Sequence, residues 1–435
     1  MSAADFLRFT GSLDLLTSSD RNALYHRAPG GDPAVAAESA RIIADVRARG
    51  DAALRDMARR FDRVELEALE IPRAALGRAL DSMPKPLRQA MERAARNIAT
   101  VHRAFAPTAM ETSPAPGIVV GRRPDALRSV GVYAPGGRAS YPSSVLMGAI
   151  PARVAGVSEI ILCSPPDRAG SPPAAVLAAA AIAEVDRVFA VGGAGAIAAM
   201  ALGTESIPRV DRIVGPGNAF VASAKLQLVD SVAIDSPAGP SELVVVADEH
   251  ADPSAVASEM VAQAEHDPSA CVVAVVLSES AAGRLEQALR AAAASAQRQQ
   301  VVCAALAAQG GILVAATLRA AIEFANAYAP EHLLLAVCDP DALLPLVRNA
   351  GTVFLGETSS VTFGDYMTGA NHVLPTGGSA RAYSGLSPLD FVRWTTYQRI
   401  DPHAARSLAD DVGRFADAES LPAHAAAARR LGVTA

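Results

Sequence analysis

VGVYAPGGRASYPSSVLMGAIPARVAGVSEIILC, residues 130–163, decides how the fold is read. The stretch opens and closes on short β-branched runs, 130–133 and 159–163, with an Ala-rich segment between them. Neither run alternates apolar with polar. Continuously apolar strands suit a parallel sheet covered by helices on both faces. Working outward, 187–191 and 212–214 follow at helix-length spacing. After Gly239 the pattern starts again, with runs at 243–247, 271–277, 312–315, 332–337 and 353–355. Strand-like runs alternating with helical stretches read as βαβ units.

The expected fold class is therefore α/β: two consecutive incomplete Rossmann-like parallel-sheet domains. With 435 residues the chain exceeds what one core usually serves. Residues 1–126 read as a mainly helical segment, because 32–61 and 87–105 carry apolar residues at helical spacing. Ile71 before Pro72 reads as a short extended break. The first α/β unit is placed at 127–240 and the second at 241–378. The join lies near DSPAGPS, 235–241, where Pro and Gly punctuate the chain. The tail, 379–435, is too small to bury a core of its own, so it is expected to pack on another surface.

Apolar residues make up 51 % and charged residues 19 %, which excludes a disordered chain. Aromatics are 4 %, so the cores must be built from Ala, Val, Leu and Ile. Net charge is −6 with both signs interspersed, and the absence of a basic stripe argues against nucleic acid. No uncharged apolar run approaches the ~18–20 residues that span a bilayer. Asp5 and Asp14 interrupt the first sixteen residues, so no secretory signal is expected. Cys163, Cys271, Cys303 and Cys338 are far apart, which reads as reduced thiols in a cytoplasmic protein.

Four segments offer chemistry. In AQAEHDP, 262–268, Gln263 and His266 are three apart and share one face near a helix end. In APEHLLLAV, 329–337, a Pro-Glu-His turn opens directly into an apolar strand. Glu331 and His332 then sit together at a sheet edge, where each can tune the other's proton affinity. In FGDYMTGANHVLPTGG, 363–378, Asp365 and His372 lie in a loop of the kind that carries function. In ESLPAHAAAARR, 419–430, Glu419 and His424 flank the start of a terminal helix. Each has an ordinary alternative: a helix-end pair, a loop before a strand, a surface histidine. No HExxH and no Cys cluster is present, so spacing alone does not establish a metal site. The glycine-rich stretches 132–145 and 190–203 follow strands but depart from GxGxxG. They suit close approach to a phosphate, or merely tight packing.

Taken together, VGVYAPGGRASYPSSVLM, GGAGAIAAMALGTESIPRVDRIVGPGNAFV, AIDSPAGPSE, AQAEHDP, PEHLLL and GDYMTGANHVLPTGG closely resemble segments of the histidinol dehydrogenases, in that family's order. The stretch 381–397 and the terminal LPAH continue the likeness. The resemblance implies oxidation of L-histidinol to L-histidine through L-histidinaldehyde, the last step of histidine biosynthesis, in two NAD-dependent oxidations. It implies zinc on Gln263, His266 and Asp365, with His424 supplied by the partner in a homodimer that shares its active sites through the tail. It gives His332 the alcohol proton and Glu331 the activation of water on the aldehyde. Ser241, Gln263, His266, His332, Asp365, His372, Glu419 and His424 match substrate-contacting positions. Tyr133, Gly195 and Asn218 match positions on the NAD side, in the first α/β unit. At Gly195 the family commonly carries Gln, so altered or weaker cofactor contacts are expected. Rival readings are a related dehydrogenase of another alcohol, such as a sulfonated diol, and a zinc hydrolase that needs no NAD.

Overall fold

The computed structural model describes residues 6–27, 32–136, 140–237 and 239–432. Asp5, Gly137 of the first glycine-rich stretch and Ala238 of the join lie outside these residues. The strands in chain order are β1 (Phe9–Ser12), β2 (Glu70–Ile71), β3 (Met110–Ala115), β4 (Ile118–Ala126), β5 (Ser129–Tyr133), β6 (Glu159–Ser164), β7 (Arg187–Ala190) and β8 (Arg212–Val214). They continue as β9 (Ala233–Ile234), β10 (Glu242–Ala247), β11 (Cys271–Val276), β12 (Gly310–Val314), β13 (His332–Ala336), β14 (Thr352–Leu355) and β15 (Val392–Ile400). All nine strands expected from the apolar runs are present.

The chain is a mixed α/β protein with parallel sheets. One six-stranded sheet has the order β2-β7-β6-β5-β8-β9, and the other β1-β12-β11-β10-β13-β14. Within each, five consecutive strands follow one plan: the first sits centrally, the next two extend to one side and the last two to the other. Every pairing among those five is parallel. Apolar runs buried on both faces explain why. In β10, Leu243, Val245 and Ala247 enter one helix-covered core, while Val244 and Val246 enter the other. In β6, Ile160 and Leu162 face one layer, and Ile161 and Cys163 the opposite one. Each fully buried Val or Leu contributes about 1.5–3 kcal/mol, so a one-residue slip would exchange these sets wholesale.

The chain divides into one compact unit, Met1–Phe105 with Leu127–Phe391, and a second, Ala106–Ala126 with Val392–Ala435. Residues 106–126, read as part of a helical segment, form the strands β3 and β4. β4 pairs antiparallel with β15, from Val392 opposite Ala126 to Ile400 opposite Ile118. The segment 379–391 falls in the first unit. The N-terminal segment is otherwise helical, but it also lends β1 to the second sheet, parallel to β12, and β2 to the first, antiparallel to β7. Pairing across hundreds of residues leaves no local sequence signal.

Candidate active site

The helix Leu318–Tyr328 ends on Ala329, whose left-handed φ of 55° turns the chain. Pro330 follows, and β13 begins at His332. This brief exit brings Glu331 and His332 to the amino end of the second sheet, where both are buried. The Glu331 carboxylate accepts the Glu242 backbone N–H at 2.7 Å. The His332 Nδ1 donates to the Glu242 carbonyl at 3.0 Å and stands 3.5 Å from Glu331 Oε2. Its Nε2 faces Asp365 Oδ1 at 3.6 Å.

Burial pushes the Glu331 carboxyl up, to about 7, against the lowering effect of the His332 charge and the Glu242 N–H. Burial disfavours the charged His332 imidazole, but the Glu331 and Asp365 carboxylates outweigh it and carry the ring up to about 9. Together these shifts, both upward, describe a buried carboxyl and imidazole that share a proton as a coupled pair.

Asp365, in the short helix Val361–Tyr366, is raised by burial but held low overall by hydrogen bonding to His332 and by the charges of His332, His372 and His266. His266 follows the helix Pro253–Ala264, and burial keeps its ring toward the neutral form. His372 is likewise pushed down by burial; its Nδ1 donates to the Asp365 carbonyl at 2.9 Å. Its Nε2 lies 3.5 Å from the Ser144 hydroxyl, at the start of the helix Pro142–Ala155 that follows β5. Gln263 is 3 % exposed, and its amide nitrogen finds no hydrogen-bond partner among the described residues. Ser241 sits just before β10, and its carbonyl accepts the Cys271 N–H.

The structure thus brings Glu331, His332, His266, Asp365 and His372 into one mutually interacting cluster. Glu419 and His424 belong to the second unit, where both are exposed. Among the described residues, no group of three or more His, Cys, Asp and Glu side chains is arranged to hold a metal ion. The resemblance-derived set contains an amide in place of one of these types. Gln263 would offer its amide oxygen, His266 a ring nitrogen that burial favours in the neutral form, and Asp365 a carboxylate held low, a donor set that fits the mixed N/O chemistry of zinc.

The other candidates line the first sheet at its carboxyl end. Tyr133 ends β5; its hydroxyl accepts the Gly193 N–H at 3.0 Å, and burial raises it to about 12. Asn218 caps the helix Ala219–Gln227, its side-chain oxygen accepting from Phe220 and Val221. Gly195 is packed on the helix Asp51–Met57, and a Cβ there would stand 2.9 Å from Met57 Sδ. A glutamine would therefore have to displace Met57. Gly193, at φ 62° in the helix N-terminus, has nothing among the described residues within 4 Å of an added Cβ, which leaves room for a close approach to the backbone. Two further participants, Ser144 and Glu242, carried no signal of their own in the sequence: each follows a serine and stands just before an apolar run.

Two open parallel sheets around a buried, proton-sharing carboxylate–imidazole pair define an α/β enzyme equipped for acid–base chemistry. The histidinol dehydrogenase family model matches residues 26–431. A histidinol dehydrogenase of Methanosarcina mazei is 47 % identical over 88 % of this chain and 89 % of its own length. One from Halobacterium salinarum is 46 % identical over 94 % and 96 %. The crystal structure of histidinol dehydrogenase from Elizabethkingia anophelis superposes with a TM-score of 0.92 at 32 % identity, covering 97 % of each chain. The chain belongs to the histidinol dehydrogenase family, and is an oxidoreductase.

Proposed function

We propose that this enzyme oxidises L-histidinol to L-histidine through the aldehyde, with NAD and zinc, as a homodimer whose sites are completed across the subunits. The observation that carries the reading is the coupled Glu331–His332 pair at the end of β13, beside Asp365 and His266, in a chain of this family. With Nδ1–H committed to the Glu242 carbonyl, Nε2 is the His332 atom that takes the alcohol proton once the ring is neutral. Glu331, with its proton affinity near neutral, then draws a proton from the water that attacks the aldehyde. His332, having released its first proton to solvent, takes the next one as the hydrate is oxidised. Ser241, His372 and Glu419 orient the substrate. Gln263, His266 and Asp365, with the partner subunit's His424, would hold zinc. NAD would lie on the first sheet near Tyr133, Asn218 and the Gly193 helix start. When bound, NAD accepts hydride and zinc holds the substrate nitrogens by its charge.

The test is incubation with L-histidinol, NAD and zinc. Reduced nicotinamide should appear, two equivalents per histidine formed. Silence with histidinol but turnover of another alcohol would defeat the substrate assignment.

A further inference from the structure

The first residue of β10, Glu242, is wholly buried, and its backbone faces the start of β13. Two side chains reach its peptide groups at this end of the ladder. The N–H goes to Glu331 Oε2 at 2.7 Å and the C=O to His332 Nδ1 at 3.0 Å. One residue's peptide groups therefore orient both members of the acid–base pair.

Its side chain reaches elsewhere. Glu242 Oε1 accepts from Arg27 Nε at 3.0 Å and from the Gly377 N–H at 2.9 Å. Oε2 accepts from Arg27 Nη2 at 3.1 Å. Arg27 also donates to the Tyr328 and Leu24 carbonyls, and its guanidinium stacks 3.4 Å from the Tyr328 ring centre. The ion pair is 6 % and 2 % exposed. An ion pair this deep recovers its desolvation cost only when hydrogen bonds satisfy both partners, and this one is so satisfied. Gly377 closes the loop that carries Asp365 and His372, and that loop is tied again where the Gly239 N–H donates to Thr376. Helix end, strand start and loop thus converge on a single carboxylate.

We propose that Glu242, locked by Arg27, is a positioning residue: it sets Glu331 and His332 through its backbone and holds the Asp365–His372 loop against them through its carboxylate. This rests on the acid–base roles proposed above. It also gives the N-terminal segment, which supplies Arg27, a part in catalysis without contact with substrate.

The test compares Glu242→Gln and the milder Arg27→Lys with the parent enzyme. In folded protein kcat should fall about 10–100-fold for both oxidation steps with Glu242→Gln, and less with Arg27→Lys, while KM for the alcohol stays within about 3-fold. A second readout needs no substrate. In protein labelled with ring-15N histidine, the hydrogen-bonded His332 Nδ1–H signal of the parent should broaden or vanish in Glu242→Gln. Should Glu242→Gln not fold, Arg27→Lys carries both readouts. Unchanged kcat, a loss confined to KM, or an unchanged Nδ1–H signal in a folded variant overturns the proposal. If the parent fails to oxidise histidinol while the Nδ1–H signal still responds to these substitutions, the substrate reading falls and the positioning role stands.

Discussion

The two sheets share a strand plan but present their candidate residues from opposite ends. In the first, Tyr133, the Gly193 turn and Asn218 all lie beyond the carboxyl ends of β5, β7 and β8, where open parallel sheets usually bind ligands. In the second, Glu242 and His332 stand at the amino ends of β10 and β13. The carboxyl end of the second sheet is occupied by its own turns: Asp248 accepts the backbone N–H groups of Cys338 and His250. Each sheet also buries one ion pair beside its candidate site. In the first, Lys225 Nζ reaches Asp235 at 2.7 Å and the Gly215 carbonyl at 2.6 Å, while Asp235 accepts the Gly215 N–H. That pair holds the backbone of a loop, whereas Arg27–Glu242 holds titratable side chains. A repeated architecture supplies rigid ends; which end carries chemistry depends on where the polar groups fall.

That contrast can be broken by substitution. The largest effect is expected in the second sheet. His332→Asn should cut alcohol oxidation by about a thousandfold or more, while Glu331→Gln should mainly slow aldehyde oxidation, both read by single-turnover NADH formation. Equal loss in both steps for both variants would end the division of labour.

In the first sheet a charge deletion should cost stability rather than chemistry. Lys225→Met leaves Asp235 buried with only the Gly215 N–H, and denaturant unfolding should register a loss of about 3–5 kcal/mol. Smaller again is Gly195→Gln. It gains helix propensity but presses on Met57, for a net loss of about 1–3 kcal/mol that Gly195→Gln with Met57→Ala should largely recover. A single variant as stable as the parent would remove packing as the reason for this glycine.

The smallest effect lies outside both sites and separates loss of fold from loss of activity in acid. His102 is 2 % exposed, with both ring nitrogens unpartnered, and burial pushes it down to about 4. The unfolded imidazole binds its proton near 6.5. The unfolded state therefore holds more protons between those values, and stability falls as pH drops from 6.5 towards 4. Roughly 1–3 kcal/mol of that slope should disappear in His102→Leu, measured by melting at several pH values.

The strands of both sheets were legible because a parallel strand buried on two faces must be continuously apolar, as 243–247 and 271–277 show. The Glu331–His332 pair was legible as a polar break immediately before such a run. Arg27, Ser144 and Glu242 were not, because their importance comes from partners far away in sequence: Glu242 meets Arg27 across 215 residues, and Ser144 meets His372 across 228. The strands β3 and β4 were missed for another reason. They form a hairpin but are exposed over much of their length, so neither is a continuous apolar run, and β15, the other partner of β4, lies beyond residue 391. Gly195 was read from the family as a lost cofactor contact, whereas its packing on Met57 is visible only in three dimensions.

β1 carries a consequence for how this chain reaches its native state. Phe9–Ser12 pairs with Gly311–Val314, so β1 is made about three hundred residues before the strand it lies beside. Its closure is a long-range, entropically costly event. Until it occurs, β12 presents an open parallel edge, the kind of surface that invites association with another nascent chain. Completion of the second sheet therefore waits on β12, and β1 stays without its strand partner during that interval.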